Sequence, residues 1–117
     1  MNHEEEALRL KTNDFLEKNI FKGLENINDG FDSESIFYFT AVDFEIVLDR
    51  IEKYGIGIFG IEPWLNGEFY DVLSYKDFSR DPADSKWYRK AFLSLKINGS
   101  KFQYAASYDV PEKLLSQ

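Results

Sequence analysis

The chain has no cysteine, one histidine, one methionine and three prolines. Without cysteine there can be no disulfide, no thiolate metal ligand and no thiol nucleophile. The lone His3 lies in a terminal segment expected to be mobile, which leaves a serine triad without a base. A zinc site would need carboxylates alone, which is atypical for that metal. No apolar run approaches the ~20 residues of a membrane span. The opening MNHEEEALRL is acidic, unlike a secretory or organellar leader. These absences point to a cytoplasmic protein with no metal and no cofactor. Any general base would have to be Asp, Glu, Lys or Tyr.

What is abundant is aromatic side chain and acid. The 117 residues include 11 Phe, 7 Tyr and 2 Trp, enough for one domain (1–117) with a substantial core. Net charge is −7 and unevenly spread. Residues 23–49 hold seven acids and no base, whereas 85–108 hold five bases and no acid. One-sided segments either face each other or set up a field that steers a charged partner.

Periodicity predicts a helix over Glu4–Leu24, with Leu8, Phe15, Leu16, Ile20 and Leu24 on one stripe and Glu4, Glu5 and Glu6 at its N-terminus. Residues 25–40 read as loop, with a short edge strand at Ile36–Phe39. A second helix begins at Thr40, where Thr40 and Asp43 make a capping pattern, and ends at Gly55. Phe44, Val47, Leu48, Ile51 and Tyr54 form its apolar face.

Residues 55–60, GIGIFG, match the Gly-x-Gly-x-x-Gly fingerprint of dinucleotide sites. Such a site needs a strand before the glycines and a helix N-terminus after them. Here the helix comes first, so its C-terminal, negative end would meet the phosphate. Gly55 reads as a helix cap, and Gly57 and Gly60 as strand positions closely approached by a neighbour.

Beyond the strand Ile56–Glu62, Asn66-Gly67 signals a hairpin into EFYDVLSYK, and residues 77–85 read as loop. WYRKAFLSLKI alternates at Ala91, Leu93, Leu95 and Ile97, and Asn98-Gly99 would turn it into SKFQYAASY. The preferred reading is therefore a second hairpin. Its rival is a helix over Ala83–Leu93, which Pro82 and Asp84 would start. The expected fold is α+β: two N-terminal helices on one face of a roughly four-stranded antiparallel sheet.

Several candidate chemistries compete. Glu62 and Glu68 flank the Asn66-Gly67 turn beside Trp64 and Tyr70, and a glycosidase needs two carboxylates ~5–10 Å apart. Acid pairs beside a turn are common on acidic surfaces, so this signal is weak. NDGFDSE and DPADS lack the register of a calcium loop and read as turns. The basic hairpin 86–101, with Trp87, Tyr88, Phe102 and Tyr104, has the ingredients of a single-strand nucleic-acid platform, opposed by the molecule's overall negative field. The favoured reading is non-enzymatic protein binding through an acidic, aromatic surface. Glu62, Trp64, Glu68, Tyr70 and Asp71 would gather at the hairpin tip, with Asp77, Asp81 and Asp84 in the next loop.

The run RIEKYGIGIFGIEPWLNGEFYDVLSY resembles a segment of colicin-type and contact-dependent-inhibition immunity proteins of bacterial toxin systems. A helix ends in glycine, a Gly-aliphatic-x-aliphatic-x-Gly-Ile-acid strand follows, and an aromatic hairpin comes next. Gly55, Ile56, Ile58, Gly60, Ile61, Glu62 and Trp64 carry the likeness. It implies a small cytoplasmic protein that binds and blocks a cognate toxin domain, often a cationic nuclease. Apolar run length separately argues against a membrane partner, and the net charge of −7 disfavours nucleic acid.

Overall fold

Asn2 opens the first helix, α1 (His3–Asn19), by accepting the Glu5 amide, while Glu4, Glu5 and Glu6 sit where the helix dipole favours negative charge. The computed structural model describes residues 2–116. Helix α1 is shorter than its periodicity suggests. It closes where the Ile20 and Phe21 amides both reach the Leu16 carbonyl, and Gly23 turns the chain beyond it with φ 81°.

Helix α2 (Ala41–Tyr54) forms as its caps dictate. The Thr40 hydroxyl accepts the Asp43 amide, and Gly55 ends the helix in the left-handed conformation at φ 70°. Phe44, Val47, Leu48 and Ile51 are fully buried.

Strand β1 (Gly57–Leu65) is the centre of an antiparallel sheet. Along one edge runs β4 (Gln103–Asp109), from Gly57 opposite Asp109 to Trp64 opposite Gln103. The other edge is shared by two short strands, β2 (Glu68–Phe69) near the tip and β3 (Leu73–Ser74) near the base. EFYDVLSYK is thus two strands and not one. The Tyr70 and Asp71 amides both reach the Pro63 carbonyl, and the Asp71 carboxylate takes the Val72 amide, so the middle of the segment leaves the ladder. An irregularity between Ile58 and Gly60 turns Phe59 outward and keeps both Ile58 and Ile61 in the core. Phe39 alone, of the edge strand expected at Ile36–Phe39, bridges to Tyr104.

The second hairpin is not there. Residues 85–97 are helix α3 (Ser85–Ile97), capped by the Asp84 carboxylate on the Lys86 amide, so the rival helical reading is the correct one. Trp87, Tyr88, Ala91, Phe92 and Leu95 are buried at helical spacing, whereas Leu93 and Ile97, which made the strand alternation persuasive, are exposed. Gly99, at φ 85°, ends a helix instead of turning a hairpin, and its amide closes on the Lys96 carbonyl.

The class is α+β with a four-stranded antiparallel sheet, as expected, but the helices are not all N-terminal. Helix α2, which precedes the sheet in sequence, and α3, which falls between β3 and β4, lie antiparallel beside one another over its inner face. Helix α1 reaches the core through Leu16, with Phe15 half-buried against it, and through the turn that follows, where Ile20 and Phe21 are buried. The acidic and basic segments meet across α2 and α3. Arg89 donates to Asp49 at 2.8 Å and to Glu52 at 3.0 Å, and Lys96 meets Glu45 at 3.2 Å. Burial works against the Arg89 charge, but hydrogen bonds to Asp49 and Glu52 outweigh it and raise its pKa. A 3-10 turn at Tyr75–Phe78 and a short helix α4 (Glu112–Leu115) complete the chain.

Candidate functional site

The long connection between α1 and α2 has almost no secondary structure, and two asparagines hold it. The Asn28 Nδ2 donates to the carbonyls of Ser33 and Ile36 at 2.9 Å each, while its Oδ1 accepts the Gly30 amide at 3.1 Å. The Asn26 Oδ1 accepts the amides of Asn28 and Tyr38 at 3.0 Å. These side chains stand in for absent backbone partners. NDGFDSE is accordingly an asparagine-centred loop.

The loop lays Phe31, Asp32 and Tyr38 against the outer face of the sheet. Strand alternation puts Glu62 and Trp64 on that face, and the Trp64–Phe69 register adds Phe69. Asn66 and Gly67 both have positive φ, 52° and 78°, as the two central residues of a type I′ hairpin require. Phe31 sits close over this turn: a side chain at Gly67 would meet the Phe31 Cβ at 3.2 Å. The resulting aromatic cluster has ring-centroid distances of 4.8 Å for Phe31–Tyr38, 5.5 Å for both Phe31–Trp64 and Tyr38–Trp64, and 6.2 Å for Trp64–Phe69.

Each of two carboxylates is held by a ring of this cluster. The Trp64 Nε1–H donates to the Glu62 Oε1 at 2.7 Å, and the Tyr38 hydroxyl donates to the Asp32 Oδ2 at 2.5 Å. Burial, the hydrogen bond to Asp32, and the charges of Asp32 and Glu62 together raise the Tyr38 pKa, so the phenol stays protonated as a donor. The segments that build the cluster, 23–49 and 54–75, contain no lysine or arginine. Among the described residues the ion pairs are Lys18–Asp14, Arg80–Asp84, Arg89 with Asp49 and Glu52, and Lys96–Glu45, none of which involves Asp32 or Glu62. Two orientation-locked carboxylates at the edges of these rings, with no counter-ion among the described residues, suit a guanidinium or ammonium group.

The eight residues singled out from the sequence do not form one surface. Glu62 and Trp64 share the outer face. Glu68 lies opposite Leu65, and by alternation Glu68 and Tyr70 belong to the inner face, where Tyr70 packs on Phe102 at 4.7 Å. Glu62 and Glu68 therefore lie on opposite faces of the hairpin, which is incompatible with a shared glycosidic bond. Asp71 is exposed but bonded to its neighbour's amide. Asp77 caps the 3-10 turn through the Ser74 amide, and Asp84 caps α3 and pairs with Arg80. Asp81 is exposed on the surface loop before α3. Asp32, Tyr38 and Phe31 were missed. Their signal was the base-free acidic stretch ending in FYF; what could not be read was its contact with a hairpin about thirty residues on.

The nucleic-acid platform expected of residues 86–101 dissolves with the hairpin. Trp87, Tyr88, Phe102 and Tyr104 are all buried core, and Arg89 and Lys96 are engaged by α2. A groove of about 530 Å³ between α1 and α4, lined by Glu4, Leu8, Lys11 and Leu115 among others, shares no residue with the Glu62–Trp64 cluster. Among the described residues no group of three His, Asp or Glu could hold a metal ion, and no helix is long and apolar enough to cross a membrane. Comparisons with protein-family models, curated proteins and solved structures find no match for the chain.

Proposed function

We propose that this protein is a cytoplasmic immunity protein that neutralises a cationic bacterial toxin domain, a nuclease, by occupying its nucleic-acid-binding surface. It acts by occupancy and not by turnover. The carrying observation is the outer face of the hairpin, where Glu62 and Asp32 are locked by Trp64 and Tyr38 and have no counter-ion of their own. A surface that binds nucleic acid presents arginine and lysine, and such a face offers them carboxylates already held in place. Net charge of −7 speeds the approach of a cationic partner. The toxin reading in particular rests on the likeness of residues 50–75 to immunity proteins.

The test is co-expression with a candidate toxin, the variable C-terminal domain of a large secreted protein where one is encoded immediately upstream, followed by titration calorimetry. The protein should restore growth and block the toxin's nuclease activity. Trp64→Ala should weaken binding about a hundredfold, as expected for a central aromatic anchor. Asp71→Asn, away from the cluster, should bind as the wild type does. Full protection by the triple variant Asp32→Asn/Glu62→Gln/Trp64→Ala would take this face out of the interface. Failure of the unaltered protein to bind would sink the toxin assignment itself.

A further inference from the structure

Helix α3 has a second stripe that the core does not use. Lys86, Lys90, Leu93 and Ile97 follow one another at spacings of four, three and four, and all four are exposed. Leu93 is 56% and Ile97 75% exposed, and Val42 on α2 is 74% exposed. The antiparallel pairing of the two helices, with Arg89 beside Asp49 and Lys96 beside Glu45, puts Val42 at the same end as Ile97. Single exposed aliphatics need no explanation, but three at one end of a helix pair form a patch. Charge is ordered along it as well. Lys86 and Lys90 lie at the N-terminal end of α3 and take part in none of the ion pairs among the described residues. Asp43 lies at the other end, on α2, beside Glu45, which Lys96 already engages.

We propose that this face pairs with the same face of a second copy of the chain, α3 against α3 in antiparallel register about a two-fold axis at Leu93. A two-fold interface must be complementary to itself, and this surface is. The operation sets Leu93 against Leu93 of the second copy and encloses Ile97 and Val42 from both. It carries Lys86 and Lys90 of each copy toward Asp43 of the other, which, unlike Glu45, is in none of the ion pairs among the described residues. Nucleic acid and anionic lipid fit less well, because the acid at the far end of the same face, Asp43, would repel them. The face lies on the helical side of the sheet, so a dimer leaves Glu62 and Trp64 free on the outer side. Two partners could then be held back to back.

Sedimentation equilibrium of the full chain from micromolar to sub-millimolar concentration reads the association directly. The wild type should be a dimer at the upper end. Leu93→Glu should raise the dissociation constant about a hundredfold, as for loss of a central anchor, with its circular dichroism and melting temperature unchanged. Position 93 is solvent-exposed in the monomer, so this variant is not expected to compromise folding. The absence of cysteine allows a second reading. Leu93→Cys, at the axis, should oxidise to a disulfide-linked dimer faster than Val72→Cys, which is half-exposed on the other edge of the sheet. A wild type that stays monomeric throughout, a dimer that survives Leu93→Glu, or equal cross-linking rates for the two cysteine variants would each overturn the proposal.

Discussion

At Asn28 one side-chain amide does what a β-ladder does elsewhere. It satisfies carbonyls at Ser33 and Ile36 and an amide at Gly30, and so shapes the loop that delivers Phe31, Asp32 and Tyr38 to the hairpin. Removing it breaks these three exposed bonds and two longer, part-buried ones to the Asp32 backbone, each worth about 1 kcal/mol net at most. Asn28→Ala should therefore cost roughly 1–3 kcal/mol in a denaturant titration. It should also loosen Phe31 from Trp64, which a red shift of tryptophan emission and faster exchange of the Tyr38 amide would report. A variant with wild-type emission and exchange would mean that packing of Phe31 and Tyr38 alone orders the loop. The composition of residues 25–40 was legible as loop, acid and aromatic. Which polar residues organise it was not, because an asparagine that mimics backbone looks the same in sequence as one that points to solvent.

The same dipeptide does two jobs at the level of the element. Asn66-Gly67 turns a hairpin with both residues at positive φ, while in Asn98-Gly99 only the glycine is left-handed and it ends a helix. Both conformations need a glycine, so the signal fixes a break in the chain and leaves its kind open. What decided residues 85–97 was the inner stripe from Trp87 to Leu95, which the alternation of Ala91, Leu93, Leu95 and Ile97 concealed. Helix α2 was readable end to end because Thr40, Asp43 and Gly55 cap it and its apolar face admits one period only. The glycines of β1 were readable in kind. A side chain at Gly57 would lie 2.9 Å from the Pro82 Cβ and 3.1 Å from its carbonyl carbon. Pro82 also accepts the Ile58 amide at 2.9 Å and the Trp87 indole at 3.3 Å, so it cannot easily yield. Gly57→Ala should cost about 1–3 kcal/mol through overpacking at this strand–loop crossing. Gly60 has its nearest neighbour, a Val72 methyl, at 3.4 Å, and Gly60→Ala should cost less. Equal losses in thermal melts would refute the crossing as the cause.

Over the whole molecule, opposite charge is consumed on the helical side, where α2 and α3 pair, and left uncompensated on the outer side of the hairpin. Between these two surfaces lies a core that carries buried phenols. Tyr88 and Tyr108 hydroxyls are buried with no hydrogen-bond partner among the described residues. Burial pushes the Tyr88 pKa up to about 12, with the charge of Glu52 adding to the rise and that of Arg89 opposing it. Burial raises Tyr104 and Tyr108 too, and Tyr38 is raised by burial and by Asp32. A phenol whose folded pKa lies above its unfolded value of 10.0 holds its proton more tightly in the native state. The stability it contributes is complete below pH 10 and is lost as pH climbs from there through the folded pKa. Four such groups, three in or against the core and Tyr38 in the outer cluster, should make alkaline unfolding cooperative, with a net charge of −7 adding self-repulsion. Tyrosinate absorbance should rise in two stages, a gradual one and a steep one that coincides with loss of the far-ultraviolet dichroism. Tyr108→Phe removes one buried ionisable group and one unpaired hydroxyl, so it should move the steep stage to higher pH and raise stability at neutral pH by about 1 kcal/mol. A steep stage that leaves the dichroism intact would show that these phenols ionise inside the folded protein, and that their burial does not govern its stability in alkali.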